Sequence, residues 1–444
     1  MEKVRGEMSA SRADAAYQTY KNKVKDTQRV DELLNLGLLA FEAKDYAECQ
    51  RALAQADALA EERLTKSLSR EAAGVAVSDR VRAYQGTVFD KAMVHYYRAL
   101  AYLAENKPDE AVVEGRRVAS YLEVNARESK HAYKDDAFLQ WFNGALYDHA
   151  GQVNDAWISY RRARELYGDY YGLPEPTYLP LATLAAAHVV GDTTEERVLD
   201  SLSFGTEVNP EYGRVIVICE TGIAPPIRES NIVLPILETV PSHFENDDER
   251  DRYYYDMYER NRENPYYEQT RLKYLLRVAL PHYEDGFEGS SVTQVSVRDE
   301  DNQCHCAELS EDVGAILRRD LKDRYPSIVA RAITRAIIKY GATEAARELG
   351  KQKDDKGKRR EGILSDILGT VVNAAGAATE AADTRSWETL PDRIYVSDFQ
   401  MPPGAHEMRV LFEDDLGNTV LRHDFGTVEV KKGESVFLRA RCMN

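Results

Sequence analysis

Small residues recur at the places where two antiparallel helices have to touch, and this recurrence constrains the fold more than any other feature. In the first copy, Leu33, Asn35, Leu36, Gly37, Ala40 and Phe41 are followed by Asp45, Tyr46, Cys49, Leu53 and Ala56. The small side chains let two helices approach, and the bulky ones fill the space between them. Aligned on Gly37, a second copy holds Ala99, Tyr102, Pro108, Ala111 and Gly115. A third holds Gly144, Tyr147, Gly151, Ala156, Tyr160 and Ala163.

This is the tetratricopeptide pattern of helix pairs. The copies stand 62 and 45 residues apart, longer than the usual period of about 34, so extra segments fall at roughly 65–88 and 122–133 and the solenoid is irregular. Leu179–Val190 is apolar enough for a buried helix, and Asp192-Thr193-Thr194-Glu195 starts a last helix reaching about Leu202. The first helix of each pair lines the concave side, which places Leu34, Leu38, Phe41, Tyr96, Leu100, Trp141, Asp148 and His149 there. Such an apolar, aromatic groove serves either a protein partner or another part of the same chain. It lacks the Lys and Arg that would clamp a peptide carboxylate.

The pattern changes near residue 208. Arg214–Cys219 is a β-branched run bounded by Gly213 and Gly222, and Leu275–Leu280 and Ser291–Arg298 also read as strands. The tyrosine-dense stretch with Tyr253, Tyr254, Tyr255, Tyr258, Tyr266 and Tyr267 reads as a segment folded onto its own solenoid, the alternative being a recognition surface. Glu311–Gly350 carries Ile316, Leu317, Leu321, Ile328, Val329, Ile333, Ile337 and Ile338 at helical spacing. Lys351–Arg360 reads as a solvated loop and Ile363–Ala382 as a small-residue helix. After Pro391, runs at 393–396, 407–412, 420–423, 427–430 and 435–439 alternate between turn signals. The expected fold class is therefore α+β and multidomain: a tetratricopeptide α-solenoid over 1–207, a mixed α/β middle over 208–390, and an antiparallel β-sandwich over 391–444.

The catalytic signatures with a clear mechanism are missing from the sequence: there is no phosphate-binding Gly-x-x-x-x-Gly-Lys-Ser/Thr, no Gly-x-Ser-x-Gly, no His-Glu-x-x-His and no Gly-x-Gly-x-x-Gly. No cofactor and no catalytic residue is assigned. Cys304-His305-Cys306 is the nearest approach to a metal cluster. A strand would turn His305 away from both cysteines, and no second Cys/His pair accompanies them, so no metal is expected. The other cysteines, Cys49, Cys219 and Cys442, are scattered and form no disulfide framework. A net charge of −17 repels a phosphate backbone and argues against nucleic acid as a partner.

Asp383-Thr384-Arg385-Ser386-Trp387 precedes the last strands. A flexible linker would be rich in Gly, Ser or Pro, so the charges of Asp383 and Arg385 and the bulk of Trp387 predict a rigid inter-domain joint. Several phrases, among them Tyr84–Lys91, Val94–Leu103, Glu110–Arg117, Glu220-Thr221-Gly222 and Ala382–Pro391, together resemble a bacterial family of tetratricopeptide-containing envelope proteins that are often lipoproteins. The resemblance implies a bacterial source, export, and peripheral membrane association through a lipidated leader, and it brings no activity with it. Met1–Glu7 is charged and has no apolar leader core, so the expected location is the periplasm or cell envelope if a leader has been removed, and the cytoplasm otherwise. The expected function is a non-enzymatic scaffold or adaptor binding a protein partner. The alternative is an envelope enzyme or small-ligand sensor with its site between the helical and mixed halves.

Overall fold

The computed structural model describes residues 1–24, 28–68, 84–128, 135–167, 173–194, 197, 208–239, 247–248, 250–252, 255, 270–284, 290–350 and 381–444. The tyrosine-dense stretch apart from Tyr255, the loop Lys351–Arg360 and all but the end of Ile363–Ala382 lie outside the described residues.

Three helix pairs carry the repeat: α3 (Val30–Glu42) with α4 (Tyr46–Leu68), α5 (Val88–Ala104) with α6 (Pro108–Glu128), and α7 (Ala137–His149) with α8 (Val153–Tyr167). The turn inside each pair has one geometry. Lys44, Asn106 and Gly151 take φ of 60°, 57° and 70°, each seven residues after the small position of its copy. The next amide bonds back across the helix end, from Asp45 to Ala40, Lys107 to Tyr102 and Gln152 to Tyr147, at 2.8 Å in every case. A Cβ on Gly37 would stand 2.5 Å from Leu53, and one on Gly144 would stand 2.5 Å from the Tyr160 ring. The small residues are thus required by close helix approach.

First and second helices bury different faces. In α3, Leu33, Leu34, Leu36, Leu38 and Leu39 are all buried, so this helix is covered on every side. In α4 the buried set before residue 64 is Cys49, Ala52, Leu53, Ala56 and Ala60, the narrow stripe of an outer helix. Two further helices, α1 (Glu2–Ser9) and α2 (Ala13–Lys21), stack before α3, and α9 (Tyr178–Val190) stacks after α8. The charged start gave no sign of α1, yet Val4 and Met8 are fully buried, and Arg5 donates to the carbonyls of Glu388 and Ala224 at 2.9 and 3.0 Å.

The remaining strands correct the expected sandwich. β1 (Gly213–Thr221), β4 (Gln294–Arg298), β5 (Cys304–Asp312), β6 (Arg393–Met401), β7 (Gly404–Glu413), β8 (Thr419–Val430) and β9 (Ser435–Cys442) form one seven-stranded sheet in the order β8-β7-β4-β5-β6-β1-β9. Every pairing is antiparallel except the parallel β1–β9. The sheet curls until β8 approaches β9, which makes it nearly a barrel. Strands on both sides of residue 390 share it, so no separate sandwich begins at 391. The runs at 420–423 and 427–430 are one strand, β8, with Gly426 at φ 71° beside a register shift.

β2 (Ile227–Thr239) and β3 (Thr270–Tyr283) form a separate two-stranded ribbon. One helix, α10 (Val313–Gly350), packs its Tyr325, Ile328, Val329, Ala332, Ile333 and Ala336 on Leu234, Leu276, Val278 and Leu280 of that ribbon. Pro235 conceals β2 from a sequence reading, since a proline suits a strand only where its missing N–H is not needed.

Candidate functional site

The concave face of the solenoid is where a partner was expected, and the structure fills it with the chain itself. The pleat explains how. On β1, Val215, Val217 and Cys219 point into the curled sheet, while Ile216 and Ile218 point at the helices. Ile394 and Val396 of β6 also join the helical core. Both faces of β1 are therefore buried, which is why its sequence is continuously apolar and does not alternate.

Leu34, Leu38, Phe41, Tyr96, Leu100 and Trp141 are all buried. Trp141 is fully enclosed, its ring 5.3 Å from Tyr178 and 5.7 Å from Phe138. Asp148 bonds Arg214 Nη1 at 2.7 Å. His149 sets its ring edge-on to Phe437 of β9 at 5.5 Å, and burial lowers its pKa. These side chains make contacts between helices and sheet, which match the second of the two readings of the groove, another part of the same chain.

Two ion clusters fasten the contact, and sequence reasoning missed both. On β9, Arg439 and Arg441 face the solenoid. Arg439 Nη2 lies 2.6 Å from Glu42 Oε1 and 2.5 Å from Glu220 Oε2, and Arg441 Nη1 lies 2.7 Å from Glu42 Oε1. Tyr96 donates to Glu220 Oε1 at 3.2 Å, and the Arg439 guanidinium covers the Phe41 ring at 4.7 Å. Burial alone would raise the pKa of Glu42, but Arg439 and Arg441 hold it down to about 2. In the second cluster, Arg214 reaches Asp398 at 2.6 Å as well as Asp148, and donates to Tyr160 Oη at 2.7 Å. The visible signal was an arginine at every other position of β9 after an apolar run, and a glutamate closing the apolar run of β1.

The joint residues lie between the two layers. Arg385 bonds Asp383 at 2.7 Å and covers the Tyr84 ring at 5.4 Å. Trp387 is buried 5.8 Å from Tyr97 of α5, and its Nε1 donates to Thr389 Oγ1. Asn35 of α3 clamps the segment from both sides: its Nδ2 donates to the Ser386 carbonyl at 3.3 Å, and its Oδ1 accepts from the Thr389 amide at 3.1 Å.

Other ionisable groups are also tied into packing. His95, fully buried, bonds Glu114 at 2.6 Å and stacks on Tyr121. His305 lies inside the curled sheet, stacked on Phe399 at 3.8 Å. Among the described residues no three His, Cys, Asp or Glu side chains converge as metal donors, and no helix is long and apolar enough to cross a membrane. A cleft of about 590 Å³ opens between α6, α7 and α8, lined by Glu123, Tyr147, Asp155, Ile158 and Arg162 among others.

Among the described residues, the ribbon and the long helix also carry exposed apolar side chains. On the outer face of the ribbon, Pro235 pairs with Leu275, Val233 follows two residues along, and Val233 and Leu275 are 53% and 55% exposed. On α10, Ile337 and Ile338 are exposed.

No protein-family model matches the chain, and no curated protein matches it. Among solved structures it is similar to MamA (TM-score 0.31, 15% identity, over 46% of this chain and 93% of that one). It is also similar to the apo form of RapI (TM-score 0.34, 11% identity, 45% and 50%) and to TPR-like repeats of a putative kinesin light chain from Podosopora anserina (0.31, 14%, 46% and 90%). At this level the likeness carries no argument, and the repeat assignment rests on the helix pairs themselves.

Proposed function

We propose that the chain is a non-enzymatic protein-interaction scaffold that uses its solenoid to hold its own sheet and meets its partner through the ribbon and α10. The observation that carries this reading is the group of exposed apolar side chains Val233, Pro235 and Leu275 on the outer face of the ribbon, with the exposed Arg277 opposite Val233. It stands exposed while the concave aromatic residues are enclosed. The alternative, an enzyme or ligand sensor between the halves, needs ionisable groups aimed into open space. Among the described residues, the ionisable groups of two clusters at the junction are spent on one another, Glu42 and Glu220 on Arg439 and Arg441, and Asp148 and Asp398 on Arg214. The setting in a bacterial cell envelope, by way of a lipidated leader, rests on the family resemblance alone, and fractionation of cells expressing the full-length gene tests it.

Capture from the native organism tests the contact surface. Val233→Glu and Leu275→Glu should each abolish capture with the melting temperature unchanged, because both side chains are surface-exposed. Trp141→Ala should cost about 3–5 kcal/mol of stability. Capture that survives both ribbon substitutions refutes the proposal.

A further inference from the structure

The chain sorts its cysteines by exposure. Cys49, Cys219 and Cys442 are buried, whereas Cys304 and Cys306 are exposed. The exposed two stand at alternate positions of β5, so the pleat puts both on its outer face, and their Sγ atoms lie 3.6 Å apart. His305 between them is turned inward against Phe399. In the β4–β5 register, Arg298 stands opposite Cys304 and Ser296 opposite Cys306. The Ser296 hydroxyl is buried with no hydrogen-bond partner among the described residues.

We propose that Cys304 and Cys306 form a surface thiol–disulfide exchange site whose oxidising co-substrate is a low-molecular-weight disulfide. Burial and the hydrogen bond to Cys306 push the Cys304 thiol up, which suits Cys304 to the second, resolving step. The Cys306 thiolate attacks one sulfur of RSSR, forming a Cys306–SR bond and releasing RS⁻. Cys304 then loses its proton and attacks the Cys306 sulfur, forming the Cys304–Cys306 bond and expelling the second RS⁻. The protein dithiol gives up two electrons and two protons, and RSSR leaves as two RSH.

Strand geometry permits the bond, and exposure makes it reversible. At about 3.3 Å rise per residue, alternate Cα atoms stand about 6.6 Å apart, near the upper end of the roughly 4.4–6.8 Å that a disulfide spans. Closure is therefore within reach of the strand, and the exposed disulfide is open to attack and return by thiol.

The test uses the full chain, reduced, freed of reductant and incubated with oxidised glutathione. The reaction is then quenched in acid, and the remaining thiols are alkylated in denaturant for intact-mass measurement. The expected product carries three alkyl groups where the reduced protein carries five, has Cys304 and Cys306 protected with no glutathione attached, and reverts in excess reduced glutathione. Cys304→Ser should stop at the first step, holding one glutathione on Cys306. Accumulation of glutathione on both cysteines of the unsubstituted protein overturns the proposal. So does a dithiol that stays fully alkylatable in the folded chain under conditions that oxidise it in urea.

Discussion

Replacing Arg439 with methionine isolates what fastens the sheet to the solenoid. The native cluster holds two carboxylates and two guanidiniums and is neutral, with Glu220 wholly buried and Glu42 and Arg441 nearly so. Arg439→Met leaves Glu220 with the Tyr96 hydroxyl at 3.2 Å and Arg441 Nε no nearer than 3.9 Å, one net negative charge in the interior. Removing one partner of a buried pair costs about 3–5 kcal/mol, most of it the desolvation of the charge left behind, and the lost guanidinium over Phe41 adds about 1 kcal/mol. Glu220→Gln leaves the opposite excess and a cost of the same order. The double variant is neutral again, so its loss should fall short of the sum by at least about 2 kcal/mol. Urea unfolding followed by tryptophan emission reads this, because Trp387 sits in the joint and Trp141 in the solenoid. Both signals should shift together. The reasoning fails if the single substitutions each cost under about 1 kcal/mol, or if the losses add. The pH dependence supplies a sign: the folded pKa of Glu42, about 2, lies below the unfolded value of about 4.5. Its contribution is complete above pH 4.5 and is lost as pH falls toward 2.

Two other substitutions test the packing. Gly144→Ala drives a Cβ to 2.5 Å from the Tyr160 ring, which cannot swing aside because its hydroxyl is held by Arg214, so thermal unfolding should show a loss of about 1–3 kcal/mol. Gly6→Ala, where nothing lies within 4 Å, should instead gain about 0.5–1 kcal/mol from helix propensity. Asp392 is pushed up to about 6 by burial and by Asp312, above its unfolded value of about 3.8. The folded state then binds the extra proton, and stability falls as pH rises from about 4 to about 6. Asp392→Asn should accordingly melt higher than the parent chain at pH 8, by up to about 3 kcal/mol at 1.36 kcal/mol per unit. The advantage should vanish at pH 4, and an equal difference at both pH values contradicts the assignment.

The helix pairs were legible because their signal is local. Gly37, Ala99 and Gly144 mark close approach between neighbours in sequence, and the same left-handed turn follows each by seven residues. The sheet was legible strand by strand but not as a whole. Runs at 393–396 and 435–439 were visible, yet their pairing with β1, some 180 and 220 residues earlier, has no local mark. A curled sheet and a sandwich share the same alternation. β2 was hidden by Pro235, and α1 by its charged sequence, in which only Val4, Glu7 and Met8 are buried.

The filling of the groove was the harder inference, because the apolar face of a ligand groove and that of a domain interface have the same composition. What separates them is how completely the first helices are apolar. An exchangeable partner leaves its groove bare part of the time, so such a surface keeps polar residues between its anchors to remain soluble. In α3, apolar side chains occupy all sides of the helix, and the one amide among them, Asn35, is spent on both ends of the Ser386–Thr389 segment. Such a helix has no solvent-tolerant state and needs permanent cover. The alternating arginines of β9 point the same way. Arg439 and Arg441 lie on a strand that otherwise holds Ser435, Val436, Phe437, Leu438, Ala440 and Cys442, and buried carboxylates face them, Glu42 at the end of α3 being one.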